Sequence, residues 1–469
     1  MIELPSRLND IDPTLDAPFA EDKLDRAPIA SILKSIVESY SSSSCVLAIN
    51  GEWGTGKTTF VKMWQKYMER MHYRAIYFNA WETDYISDPL VALLGELGEV
   101  IGKTEKFDSV CASVSRIVLS TGTAVLSSLL KQSTGISTET IQATINETND
   151  ILKDNIKDYT KQKASISEFK QKLTEYVANV NEEECTPLIF IIDELDRCNP
   201  HYAVKVLERI KHLFDIPNIF FVLPICKSQL ECAIQGFYGS DRIDAANYLR
   251  RFISLEFELP FPDCSKFYNY LYDYYEFGNF FEETKTHRSK QDNITLFKDA
   301  IKRLFNRTKI DFRTMDKLFI HSRIVAQTVH GDYASEMDVI FLLCYLKLLH
   351  FDIYNNIRAH TYTLQGLLSA IENIFPETLM NPQVSDNLDP HGFTYSIASL
   401  LLAYNQNRSI EYEKDILPVS RESEFKLECK MFSTDNLKEA LVNSRAESYS
   451  RWTSVNDITD KIDLLQHLR

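Results

Sequence analysis

Apolar residues cluster along this chain in two different rhythms. Short, uninterrupted apolar runs occupy the first half. Cys45-Val-Leu-Ala-Ile-Asn50 is one, Tyr73 to Asn79 a second, and Pro187-Leu-Ile-Phe-Ile-Ile-Asp193 a third. Asn218 to Ile225 and the shorter Ile253 to Leu259 follow. Their length and β-branched content predict buried strands. Helical spacing separates them, over Pro28 to Tyr40, Lys57 to Met71 and His201 to Phe214. Fully apolar strands alternating with helices predict an α/β fold built on a mainly parallel sheet covered on both faces.

Between the second and third strands, residues 87–185 read as a large helical insertion with a Ser/Thr-rich middle. Its most apolar part, Val110 to Leu130, contains Arg116 and several hydroxyl residues, so it reads as a buried or amphipathic helix. After Pro260-Phe-Pro262 the rhythm becomes helical throughout. Phe267, Leu271 and Tyr274 mark one such stretch, and Val339, Leu342, Leu343, Leu346 and Leu349 another. The expected division is a core over 1–262 and an α-helical C-terminal domain over 263–469, with the polar region beyond Asn407 least patterned.

Composition narrows the classes. A chain of 469 residues with 44% hydrophobic and 25% charged residues is globular and too long for one ordinary core. A net charge of −15 argues against a general nucleic-acid coat or a polybasic membrane binder. Nine cysteines are scattered without metal-ligand spacing, which predicts reduced thiols partly in the core. No run of about 18 apolar residues predicts a membrane span. The N-terminus lacks a signal-peptide pattern, so a cytoplasmic location is expected.

The first strand runs into Gly51-Glu-Trp-Gly-Thr-Gly-Lys-Thr58, which fits the P-loop pattern G-x-x-x-x-G-K-[ST]. Glycines at 51, 54 and 56 allow the backbone to turn its amides, including those near Thr55 and Thr59, toward a phosphate. The following helix adds its positive end. Lys57 is placed to reach the β and γ phosphates, and the Thr58 hydroxyl to ligate Mg²⁺. A P-loop requires a carboxylate at the end of a neighbouring buried strand, and Asp193 supplies it. Glu194, the next residue, is expected to polarise an attacking water. ATP and Mg²⁺ are therefore the expected ligands; no Asn-Lys-x-Asp motif points to guanine.

The flanks of these motifs resemble the KAP family of P-loop NTPases. The resemblance is carried by INGEWGTGKTTFVKMW, YFNAW at 77–81, IIDELDRCNP at 191–200, VLERIKHLFD at 206–215, FVLPICKSQL at 221–230 and NYLRRFISLEFELPFP at 247–262. It spans about residues 10–330. It implies an ATPase of the additional-strand, catalytic-glutamate group, many bacterial members of which look like parts of anti-phage defence operons. Partner proteins of such a complex are thereby implied, and a homo-oligomer is left open.

Three departures stand out. The insertion, which often carries membrane helices in the family, is too polar here to span a bilayer. Cys226 stands where the strand after Asp193 usually ends in an acid. The Asp193-Glu194 pair replaces a common Asp-Asp. By analogy with related NTPases, Arg250 or Arg251 would serve as an inter-subunit finger and Arg313 as a lid residue sensing the γ-phosphate. Arg26 and Asp25 would lie near the adenine. Trp53, within the P-loop, reads as a packing or lid residue, and Trp81 as a core aromatic. Asp196 and Arg197 read as holding the loop after Asp193 by local pairing, with a direct contact to nucleotide or partner as the alternative.

Three other functions compete with an ATPase. A nucleotide-binding scaffold with little turnover would need a defective Glu194 position, which is intact. A kinase would need an acceptor pocket that the sequence does not reveal. A nuclease would need a His or carboxylate–Lys cluster, whereas His321, His330, His350, His360 and His391 are scattered.

Overall fold

The computed structural model describes residues 12–40, 43–86, 88–102, 104–119, 155–180, 187–211, 216–261, 264–283, 290–307, 310–328, 337–374, 391–406, 417–418, 420–431, 433–447 and 454–464. The chain divides into two compact units, one over Asp10–Phe261 and the other carrying Pro262–Arg469.

The first unit is built on five parallel strands: β1 (Cys45–Asn50), β2 (Ala75–Asn79), β3 (Leu188–Asp193), β4 (Ile219–Ile225) and β5 (Leu255–Glu258). Their order in the sheet is β2-β3-β4-β1-β5. β4 is therefore the additional strand between the one that feeds the P-loop and the one that ends in Asp193. The register aligns Asn50 with Ile225 and Asn79 with Asp193. All parallel strands end at the same edge, so every candidate carboxylate and the P-loop emerge together there.

Alternation along the strands splits the core into two faces. Cys45, Leu47, Ile49, Ile189, Ile191, Phe220 and Val222 share one cluster with helices α1 (Ala27–Ser39) and α2 (Lys57–Arg70). Val46, Ala48, Phe190, Ile192, Phe221 and Leu223 face the other cluster. β5 departs from the expected apolar run: Leu255 and Phe257 pack inward while Glu256 and Glu258 are exposed, as suits an edge strand.

The insertion contributes α3 (Pro89–Ile101), α4 (Glu105–Leu119) and α5 (Asn155–Val180). Its helices belong to the core of the unit. Leu90, Val91, Leu94, Phe107, Val110, Val114, Phe169, Leu173 and Tyr176 join the same cluster as the sheet. Gly98 on α3 allows this packing, because a Cβ there would run into the Phe107 ring. α4 buries Phe107, Val110, Cys111 and Val114 at helical spacing, as an amphipathic helix should; Thr121 to Leu130 lie outside the described residues. Asp88 caps α3 by accepting from Leu90 N at 3.0 Å. The same buried carboxylate takes a bidentate pair from Arg209 of α6 (Pro200–Lys211), at 3.2 and 2.6 Å. Such a fork-to-fork contact fixes both partners. Among the described residues no helix is long and apolar enough to cross a membrane.

Two further helices complete this unit, α7 (Lys227–Tyr238) and the short α8 (Ala245–Leu249). The second unit is helical over every element described. It runs α9 (Ser265–Tyr274), α10 (Phe277–Glu283), α11 (Lys290–Arg307), α12 (Phe312–Thr328), α13 (Met337–Leu349), α14 (Phe351–Arg358), α15 (Leu364–Ile374), α16 (His391–Asn405), α17 (Thr434–Glu447) and α18 (Val455–Leu464). α13 is buried nearly all round from Met337 to Leu346, so it is the central helix; Leu349, expected inward, is exposed at its end. In α9, Phe267 and Leu271 are buried as expected, while Tyr272 replaces Tyr274 in the interior. Phe277, Phe297, Phe319 and Phe341 form a ring-on-ring core with centroids 5.3–5.5 Å apart. Asp463 ties α18 to α13 and α14, pairing with Lys347 at 2.7 Å and accepting from Tyr354 at 2.9 Å.

Candidate functional site

Gly54 and Gly56 both adopt φ 76°, which side chains disfavour. These two residues curl the loop after β1 and aim it at the start of α2, whose first residue is Lys57. A side chain at Gly51 would press on the Thr55 hydroxyl. Thr55 closes the loop by donating to the Glu52 carbonyl at 2.8 Å. The Lys57 ammonium folds onto the loop itself, donating to the carbonyls of Gly51 at 2.6 Å and Glu52 at 3.0 Å. Burial pushes the Lys57 pKa down, and the nearby Asp196, Cys226 and Asp193 oppose that shift.

Asp193 is 1% exposed. Burial pushes its carboxyl pKa up, against hydrogen bonds from Thr58, Tyr77 and the Glu194 amide. The Tyr77 bond measures 2.9 Å and the Glu194 bond 2.8 Å. Thr58 and Lys57 come close enough to Asp193 for each pair to interact, so the two motifs meet although β4 lies between their strands. The donor set is oxygen-only beside backbone amides and one ammonium, and it fits a phosphate carrying a hard cation such as Mg²⁺, which keeps most of its waters. No cluster of three or more His, Cys, Asp or Glu suited to a metal occurs among the described residues.

Glu194 takes a left-handed backbone (φ 58°) and opens a 3₁₀ turn over Leu195–Arg197. Its carboxylate pairs with Arg197 at 3.0 Å. The Arg197 guanidinium lies over the Trp81 ring, 5.6 Å from its centroid. Trp81 is 50% exposed, so the expected core role is wrong: the ring caps the end of β2 as a platform for an arginine. Asp196 is buried and accepts from the Trp53 indole and from the Cys226 amide. It thus joins the ends of β1, β3 and β4. Sequence pattern had no means of pairing these residues, since they come from different strands.

The family is decided by the sequence match together with this geometry. A model of the KAP family P-loop domain matches residues 26–329, well over half of the chain. The chain belongs to the KAP family of P-loop NTPases. No curated protein matches it. Two solved structures resemble it loosely along nearly the whole length. One is the ORC2 protein of Aeropyrum pernix, at 13% identity and a TM-score of 0.32, covering 96% of this chain and 97% of that one. The other is a DNA replication initiation factor, at 11% identity and a TM-score of 0.26, covering 98% of each. At such scores neither adds to the family assignment.

The other expected residues of this KAP domain are dispersed. Arg26 is buried and donates to the Gly56 carbonyl at 3.1 Å, so its guanidinium braces the P-loop backbone. Thr59 lies in the first turn of α2. Arg250 and Arg251 are exposed just after α8. Arg313 is exposed on the first turn of α12, in the helical unit. Cys226, in the place of the family's acid, is buried; its thiol reaches Glu52 Oε2 at 3.6 Å and Ser228 Oγ at 3.3 Å.

Proposed function

We propose that this chain is an Mg²⁺-dependent ATPase whose turnover drives a conformational or assembly change, as a subunit of a bacterial anti-phage defence complex. The observation that carries the hydrolase reading is the buried Asp193 carboxylate close to Thr58 and Lys57 of the P-loop, with Glu194 as the next residue. It supports a metal-side carboxylate and a water-orienting carboxylate standing together at the phosphate loop.

In this reading the amides of residues 51–59, shaped by Gly51, Gly54 and Gly56, hold the phosphates. Lys57 leaves the carbonyls of Gly51 and Glu52 for phosphate oxygens, a better match for its charge. Thr58 and Asp193 hold the cation, directly or through its waters. Mg²⁺ held there would neutralise charge developing on the phosphate. Glu194 orients the attacking water. Trp53 and Thr55 shape the loop tip, Thr59 adds an amide, and Arg26 braces Gly56. Arg251, exposed in this chain, is suited to complete a neighbouring subunit's site, and Arg313 to act from the helical unit.

Steady-state phosphate release tests the reading. Glu194→Gln should lower it by about 100-fold or more while ATP still raises thermal stability. Lys57→Ala should lose that ATP-induced rise. Equal phosphate release by wild type and Glu194→Gln would instead favour a nucleotide-binding scaffold. The defence role draws support only from the family resemblance; phage challenge of cells carrying the gene with its neighbours checks it.

A further inference from the structure

We infer that Arg197 is a positioning residue for Glu194, held in place by the half-exposed ring of Trp81. The inference deepens the hydrolase reading and rests on it.

Three features converge on this pair. Glu194 is a non-glycine residue in a left-handed conformation, which costs energy unless its surroundings impose it. That conformation turns the chain into the 3₁₀ helix, in which the Arg197 amide donates to the Glu194 carbonyl at 3.1 Å. The turn brings the side chain three residues on back alongside, and the ion pair forms at 3.0 Å. The Glu194 and Arg197 side chains are 12% and 23% exposed. A pair this sheltered is less screened than a surface one, and it restricts a carboxylate with three rotatable bonds.

Trp81 supplies the other end. The Ala80 amide donates to the Asp193 carbonyl at 3.0 Å, which locks the end of β2 to the end of β3. The Trp81 amide donates to Asn79 Oδ1 at 3.1 Å, and Asn79 Nδ2 donates to Glu82 at 2.8 Å. The backbone that presents the indole is thereby fixed. A tryptophan half-exposed at a sheet edge contributes little to the core, whereas its ring face lies within cation–π range of Arg197. The relay runs from Trp81 to Arg197 to Glu194. Near the reacting atoms, a displacement of about 1 Å costs on the order of 100-fold in rate.

The test is steady-state ATP hydrolysis by the full chain. Arg197→Ala should lower kcat by about 10- to 100-fold while the KM for ATP changes by less than about threefold. Arg197→Lys keeps the charge without the planar fork and should recover part of the loss. Trp81→Ala should lower kcat by a smaller factor, and Trp81→Phe should restore most of it. In a Glu194→Gln background, Arg197→Ala should cause no further loss, because the group it positions is gone. Should Arg197→Ala not fold, the Trp81 variants carry the test through the same split. Wild-type kcat in Arg197→Ala, or a rise in KM alone, overturns the inference while Glu194→Gln remains slow. Equal rates for wild type and Glu194→Gln would instead remove the hydrolase reading, and this inference with it.

Discussion

The Tyr77 hydroxyl donates a 2.9 Å hydrogen bond to Oδ2 of Asp193, so this buried carboxylate is gripped from β2. β2 and β3 are neighbours, with Asn79 opposite Asp193, and Tyr77 sits two residues earlier on β2. Burial drives both pKa values upward, which keeps the phenol a donor and makes the carboxylate costly to ionise. The site therefore holds a charge that the fold alone would rather not bury.

Asp193→Asn should accordingly stabilise the nucleotide-free protein at neutral pH, by on the order of 1 kcal/mol, or about 2–4 °C in Tm. The sign follows from the raised folded-state pKa. The unfolded chain gives up the proton more readily, so the cost of Asp193 is present above the folded pKa. It fades as pH falls from the folded towards the unfolded value, and the gap between variant and wild type should close on acidification. Thermal unfolding across pH checks this; a variant less stable than wild type at neutral pH refutes it. The same variant should lose the extra stabilisation that Mg²⁺ gives to bound ATP.

Asp196→Ala should unhook the P-loop tip. It leaves the Cys226 amide and the Trp53 indole without their acceptor, at a cost of about 1–3 kcal/mol. ATP affinity should fall, and the emission of Trp53, already 43% exposed, should shift as its indole loses its acceptor. Emission spectra of Asp196→Ala and Asp196→Asn, with and without ATP, measure it. An unchanged spectrum would mean that the indole is held by other contacts.

Gly98→Ala should destabilise the first unit by about 1–3 kcal/mol, because the added methyl meets the Phe107 ring where α3 crosses α4. Phe107→Leu in the same chain should recover part of the loss by making room. Denaturant midpoints of the single and double variants decide it. Additive losses would place the strain elsewhere.

The P-loop and the Asp193-Glu194 pair were legible because each is local: a few consecutive residues set the backbone turn or the end of an apolar strand. The same locality exposed β1 to β4 and the helical second half. Trp81 was misread for the opposite reason. An aromatic beside an apolar strand reads as core, and only the position of Arg197 shows that the ring meets a cation at the surface. Arg26 was placed near the adenine by analogy alone, and the fold sets its guanidinium on the Gly56 carbonyl.

The sequence by itself determined which segments bury, where the P-loop lies and which family the motifs resemble, since burial rhythm and loop chemistry are written in neighbouring residues. The tertiary structure decided the strand order that sets β4 between the two motifs and the packing of the insertion into the sheet's own core. It also decided the two clamps at the strand ends, Asp196 on Trp53 and Cys226, and Trp81 on Arg197. These contacts join residues far apart in the chain. Periodicity records that a side chain is buried or exposed, whereas its partner is set by how whole elements pack.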